Sequence, residues 1–199
     1  YCCGTERIYV VEQVYDEFLA KVVAGARKLR QGNALGFEED VGAVFWDKQL
    51  EIIEQHVEDA LAKGATVHVG GRRNPELKGL YYEPTVKTGV NHDMEIMRDE
   101  TFGPVLCIQK VRDVEEALRL ANDSPYGLNG NVWTRDKEKG FAIAARIDTG
   151  SVSVNDMAMS YGVPAAPFGG RKESGIGQVN GETGMRGYCH AMPILIDRF

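Results

Sequence analysis

The sequence predicts an α/β layer structure on three observations. Short apolar runs of strand length alternate along the chain with stretches whose apolar residues recur at helical spacing. Glycine, asparagine and proline punctuate the junctions between them. The 199 residues, 43% hydrophobic and 26% charged, suffice for one sizeable core without the imbalance of a disordered chain. Only two helical stretches reach the length of long crossovers, so the sheet is expected to be largely parallel with mixed edges.

Taken in order, Glu6-Arg-Ile-Tyr-Val-Val11 reads as a strand that enters a helix. That helix carries Val14, Phe18, Val22 and Leu29 at helical spacing, joined by Leu19 and Ala26, and ends before Gly32, Asn33 and Gly36. Asp47 can cap a second helix with Leu50, Ile53, Val57, Ala60 and Leu61 on its inner side, stopped at Gly64. Thr66–Val69, Thr85-Val86 and Pro104–Gln109 follow as strands, the first two separated by Gly70-Gly71 and a polar loop. Asp113 begins a helix through Val114, Ala117, Leu118 and Leu120 that stops near Asn122–Pro125. A strand at Gly130–Trp133, a helix opened by Asp136 and ended by Gly150, and a strand at Ser151–Val154 complete the alternation. From Pro167 to Gly187 the chain holds seven glycines and reads as an ordered loop region with a short helical piece. Ile194–Ile196 is a final, terminal strand, paired with this domain's own sheet or with another subunit.

The formal charge of −6 gives no reason to expect a nucleic-acid partner, and the basic groups at Arg27, Lys28 and Arg30 and at Arg72-Arg73 read as solvated faces. No apolar run approaches membrane-spanning length, and no signal peptide opens the sequence. The four cysteines show no metal-ligand spacing, so no metal site is expected. Nothing demands disulfides, which favours a reducing, cytoplasmic setting. Cys107, within the run Val105–Ile108, reads as a small buried hydrophobe.

Several residues have the chemistry for a site. Cys2-Cys3 offers a thiol, which as a nucleophile needs thiolate character and access. Of the four histidines, His56 is expected on the polar side of the second helix beside Glu54 and Gln55, and His68 lies in a strand, so neither makes a compelling Cys–His pair. Glu100 stands just before a turn that feeds a strand, where a carboxylate could accept hydrogen bonds from a ribose diol or simply be solvated. Phe168-Gly169-Gly170 and Gly175-Ile176-Gly177 lack the order of a phosphate-binding loop and suit tight turns. Asn155 ends a strand, where it could reach a site or cap a turn.

Together these pieces form a recognisable series. Cys2 followed by Arg7, Tyr9-Val10, Tyr15-Asp16 and Phe18 resembles the stretch that begins at the nucleophile of aldehyde dehydrogenases. Glu100-Thr101-Phe102-Gly103-Pro104-Val105 resembles that family's E-x-F-G-P motif, and Asn122–Leu128 its next loop. Gly150–Asn155, Pro167–Gly170, Lys172 and Ser174-Gly175 are similar to its C-terminal motifs, so the resemblance covers essentially the whole chain.

That resemblance implies a three-layer α-β-α catalytic domain over residues 1–188, lacking its N-terminal portion, with 189–199 as a C-terminal oligomerisation strand and the cofactor-binding domain absent from this chain. It assigns Cys2 as the nucleophile, with Cys3 as its neighbour. Glu100 corresponds to the carboxylate that binds the nicotinamide ribose, Phe102 to the aromatic beside it, and Gln49 to a polar cofactor contact. The cationic position three residues after Gln49 is Ile52 here, so that part of the contact is not reproduced. Asn155 corresponds to an asparagine near the substrate whose support of the nucleophile loop is structural, and Phe168 to the aromatic lining the aldehyde tunnel. The segment 156–166 would be the variable substrate loop, and Met157–Tyr161, mostly apolar and without arginine, leans toward a neutral aldehyde.

The implied reaction is oxidation of an aldehyde to a carboxylic acid with NAD, NADP remaining open, through a cysteine thiohemiacetal and a thioester. The oxyanion asparagine and the water-activating glutamate would lie upstream, so the chain alone is expected to be inactive. A homodimer or homotetramer is expected of the complete enzyme. The alternatives are a relative in which coenzyme A resolves the thioester, and a non-catalytic oligomerisation module descended from the enzyme.

Overall fold

A computed structural model of the chain describes residues 1–33, 35, 37–157 and 162–197. The chain divides into two compact units, Tyr1–Ser124 and Pro125–Phe199, a seam inside the stretch that the sequence reads as one domain.

The first unit is built on a four-stranded sheet. Its strands are β1 (Arg7–Val11), β2 (Thr66–Val69), β3 (Thr85–Thr88) and β4 (Val105–Val111), in the order β1-β4-β3-β2. β4 runs parallel to both β1 and β3, while β2 joins β3 antiparallel at the edge, so the sheet is mixed as expected. Successive side chains of a strand point to opposite faces. Ile8, Val10, Val86, Leu106 and Ile108 therefore meet helix α1 (Glu12–Ala26) through Tyr15, Phe18, Leu19, Val22, Val23 and Ala26. Tyr9, Val105 and Cys107 lie in the second cluster, with Leu50, Ile53, Val57 and Ala60 of helix α2 (Asp47–Ala62). The unit is thus layered helix on sheet on helix, the arrangement that a strand apolar on both faces requires.

α2 is the better buried helix, with Leu50, Ile53, Val57 and Ala60 all no more than 1% exposed. Each branched side chain buried to that degree contributes about 1.5–3 kcal/mol. A 3-10 turn at Glu95–Met97 packs Met94, Ile96 and Met97 into the same cluster. At three residues it is too short to leave a helical period in the sequence. Pro104 stands outside β4 because it has no N–H for the ladder, although its carbonyl accepts from Thr85 N at 2.8 Å. Helix α3 (Val114–Asn122) starts at Asp113, whose side chain accepts from Glu116 N at 2.8 Å, and packs on β1 and β4.

The second unit holds β5 (Tyr126–Gly127), β6 (Asn129–Val132), α4 (Lys137–Ala144), β7 (Ser151–Val154), β8 (Arg171–Lys172) and α5 (Gly181–Arg186). β6 and β7 pair in parallel across α4, and β5 pairs antiparallel with β8. Asp136 caps α4 by accepting from Lys139 N at 3.0 Å. Gly150 is required at its turn, because a Cβ there would run into the carbonyl oxygen of Gly169. Residues 189–197 have no regular secondary structure, and Ile194, Leu195 and Ile196 are exposed. The terminal run does not join a sheet of its own chain: a strand needs a ladder partner, and the described residues pair none with it.

Candidate active site

Cys2 lies in a tight turn closed by Gly4 N donating to Tyr1 O at 3.1 Å. Its side chain is exposed, whereas that of Cys3 is 9% exposed, so the two adjacent thiols face different surroundings. The chain then runs through Thr5 and Glu6 into β1, and the neighbouring β4 is fed by the turn Glu100–Pro104. The parallel pairing of β1 with β4 therefore puts both entering segments at one end of the sheet.

Thr101 is the anchor of that turn. It is 1% exposed and held at three atoms. Its carbonyl accepts from Gln49 Nε2 at 2.7 Å, its hydroxyl lies 3.1 Å from His56 Nδ1, and its N–H donates to Glu6 Oε2 at 3.3 Å. Phe102 N donates to the other oxygen, Glu6 Oε1, at 3.0 Å. Phe102 has φ of +47°, a left-handed conformation that costs a residue with a side chain about 1–3 kcal/mol and persists only where its surroundings enforce it. Gly103 allows the turn to lie directly on α2, because a Cβ there would come 2.6 Å from Ile53 Cδ1. Glu100 and Phe102 are left exposed on the turn, a carboxylate and an aromatic ring two residues apart. These groups suit a ribose diol and the ring next to it.

Burial pushes the Glu6 carboxyl above the usual carboxylate range; the two amides oppose this, while the neighbouring Glu100 adds to the rise and Arg7 opposes it. Burial likewise lowers His56. His56 corrects its sequence reading: it is 6% exposed, on the face of α2 shared with Ile53 and Val57 and not on the polar side. Its hydroxyl partner makes that burial tolerable.

Arg7 reaches the end of α3, donating from Nη2 to Ala121 O at 3.4 Å and from Nη1 to Asp123 O at 3.5 Å. Beside it Tyr9 Oη lies 2.8 Å from His92 Nε2, and His92 Nδ1 lies 2.8 Å from Asp123 Oδ2.

The remaining sequence-derived site residues belong to the second unit. Asn155 has φ of +58°; its Nδ2 donates to Thr134 O and its Oδ1 accepts from Thr134 N, both at 2.8 Å. Its visible work is to tie the ends of β6 and β7 together. Phe168 is 7% exposed and exchanges both backbone hydrogen bonds with Val179. Of the substrate loop, residues 158–161 lie outside the described residues. Among the described residues, no three His, Cys, Asp or Glu side chains group as metal ligands, and no helix is long and apolar enough to cross a membrane.

The first unit thus gathers Cys2's segment, Gln49, Glu100 and Phe102 around residues to which the sequence gave no role in a site: Glu6, Thr101 and His56, the last weighed there as a partner for a thiol and set aside. Glu6 leaves one faint signal, an acid before Arg7 at the head of a strand run that is apolar only from Ile8 onward.

These features belong to an enzyme family. The profile of the aldehyde dehydrogenase family matches residues 1–194, and the chain belongs to that family. Over 198 residues it is 43% identical to a protein of Mycolicibacterium smegmatis named "Putative succinate-semialdehyde dehydrogenase (NADP+)", covering 99% of this chain and 38% of that relative. The chain therefore spans about two fifths of the length of such relatives. Among solved structures, betaine aldehyde dehydrogenase from Staphylococcus aureus in complex with NAD+ matches with a TM-score of 0.88 at 35% identity, over 98% of this chain and 40% of that one. Succinate-semialdehyde dehydrogenase from Burkholderia pseudomallei matches at 0.86 and 36% identity, over 92% of this chain and 38% of that one.

Proposed function

We propose that this chain is the C-terminal catalytic part of an NAD(P)-dependent aldehyde dehydrogenase, supplying the nucleophile and the nicotinamide-ribose side of the site. The observation that carries this is the carboxylate of Glu6, four residues beyond Cys2, accepting from the amides of Thr101 and Phe102. It joins the segment of the thiol to the turn that presents Glu100.

In this reading the Cys2 thiolate attacks the aldehyde carbon, and the backbone N–H of Cys2 contributes to the oxyanion hole. Glu100 would hold the ribose diol and Phe102 would border it, while Gln49 sets the turn through Thr101 O. NAD(P)+, when bound, supplies the acceptor for the hydride that leaves the thiohemiacetal on Cys2. The resulting thioester is released by water, activated by a glutamate from the rest of the enzyme. The names of the relatives support both nucleotides, NADP+ for the mycobacterial protein and NAD+ for the staphylococcal complex. The four cysteines are all free, which suits a reducing, cytoplasmic setting.

In the complete enzyme, Cys2→Ser should lower aldehyde-dependent NAD(P)H formation by at least about a thousandfold. Cys3→Ser should retain most of it. Loss with Cys3→Ser and survival with Cys2→Ser would reverse the assignment. The 199-residue chain alone should form no NAD(P)H. For the substrate, the apolar run Met157–Tyr161 favours a neutral aldehyde, while two relatives are named for succinate semialdehyde. Comparing kcat/KM for a neutral medium-chain aldehyde and for succinate semialdehyde decides: faster turnover of the semialdehyde sinks the neutral reading.

A further inference from the structure

We infer that Glu6 is a positioning residue for hydride transfer: its carboxylate sets the pose of the Glu100–Phe102 turn against the segment that carries Cys2. The inference rests on the aldehyde dehydrogenase reading above.

Glu6 contacts the turn through both oxygens, Oε2 with Thr101 N at 3.3 Å and Oε1 with Phe102 N at 3.0 Å. Two adjacent amides on one carboxylate fix rotation as well as distance, as a single hydrogen bond would not. The bond to Phe102 falls on the residue whose φ of +47° most needs restraint. The other two grips on Thr101, from Gln49 and His56, come from α2. They fasten the turn to the core, whereas Glu6 fastens it to the nucleophile's own segment.

Stability alone is a weak reason for a carboxylate here. The group is half-buried, and the neighbouring Glu100 repels its charge. A carboxylate at this position has a geometric consequence instead, because in that reading the reacting carbon would be attached at Cys2 and the ribose that carries its hydride acceptor would be held by Glu100. Ångström-scale displacement between such groups costs rate steeply.

The test uses Glu6→Gln in the complete enzyme, with Glu6→Asp, one methylene shorter, as the second variant should the first not fold. Glutamine replaces one acceptor oxygen with an NH2 group that cannot accept. The expected result is a fall in kcat of at least about tenfold. The KM for the aldehyde and the rate of Cys2 alkylation by iodoacetamide without nucleotide should be unchanged. A primary deuterium isotope effect with the 1-deuterated aldehyde should grow, which a merely structural defect would not produce. Hydrogen exchange at the Thr101 and Phe102 amides should speed up.

A variant with wild-type kcat and isotope effect overturns the inference, as does unchanged protection of those two amides. Slower alkylation of Cys2 in step with kcat also overturns it, since the lesion would then lie at the thiol. If the unmutated complete enzyme shows no NAD(P)+-dependent oxidation, the functional reading itself falls and takes the hydride role with it.

Discussion

Lys87 lies fully buried on β3, beside Cys107 of β4, and donates from Nζ to Val57 O at 2.7 Å. Burial lowers its pKa to about 8, and the Cys107 thiol is pushed up to about 12 by the same cause. Between pH 8 and 10.5 the unfolded chain holds the lysine proton more tightly than the folded one, so the contribution of Lys87 to stability rises with pH through that window, while that of Cys107, whose folded thiol keeps its proton above the ordinary value of 9.0, falls from there upward. Below it the buried charge costs about 3 kcal/mol. Lys87→Met should therefore leave stability equal or raise it by up to about 3 kcal/mol at neutral pH. It should also remove the lysine's rising contribution between pH 8 and 10.5, so the stability difference between variant and wild type should shrink across that range, which urea unfolding of both proteins at its two ends would measure. A clear loss of stability in the variant would mean that the bond to Val57 O outweighs the desolvation.

β1 connects the segment that carries Cys2 to the framework of the first unit. On one side it pairs with β4, and on the other Arg7 and Tyr9 bind the C-terminal end of α3. Tyr9 Oη, His92 and Asp123 form a continuous polar chain beside the core cluster to which the Tyr9 ring belongs. Tyr9→Phe keeps the ring and removes the hydroxyl from a part-buried site, at a cost of about 1–2 kcal/mol. His92→Phe in the Tyr9→Phe background should then cost less than it does alone, because the two groups share one interaction. Strictly additive melting shifts would show that the chain is not coupled. In the second unit the matching feature is Asn155, whose amide closes β6 and β7 through Thr134. Asn155→Ala should loosen that pair before it affects anything in the first unit.

For the whole chain, the apolar core is unevenly divided. The clusters around α1 and α2 lie entirely in the first unit, whereas Phe168 is the one large hydrophobic residue of the second that is buried among the described residues. Hydrogen exchange on the 199-residue chain should thus protect β1, β3 and β4 longest, with the second unit exchanging first. The reverse order would contradict the burial pattern. The run Ile194–Ile196 is proposed as a strand that pairs with another subunit of the complete enzyme. Removing residues 189–199 should then lower the oligomeric state seen by light scattering, and an unchanged particle mass would sink the proposal.

Much of this was legible without coordinates. The alternation of periods marked most helices and long strands, because burial on a helix stripe or a strand face writes itself directly into local order. The family motifs marked Cys2, Glu100, Phe102 and Phe168 for the same local reason. What periodicity could not supply were elements too brief to have a period: the 3-10 turn at Glu95–Met97 and the two-residue strands β5 and β8. Nor could it show that His56 turns inward or that Thr101 is held from three directions, since those partners are 45 to 95 residues away in the chain. Sequence alone determined the α/β class and the family, and it offered the candidate residues for chemistry. Only the tertiary structure decided which of them are held together, because hydrogen bonds such as Glu6 to Phe102 form between segments whose adjacency exists only once β1 and β4 have paired.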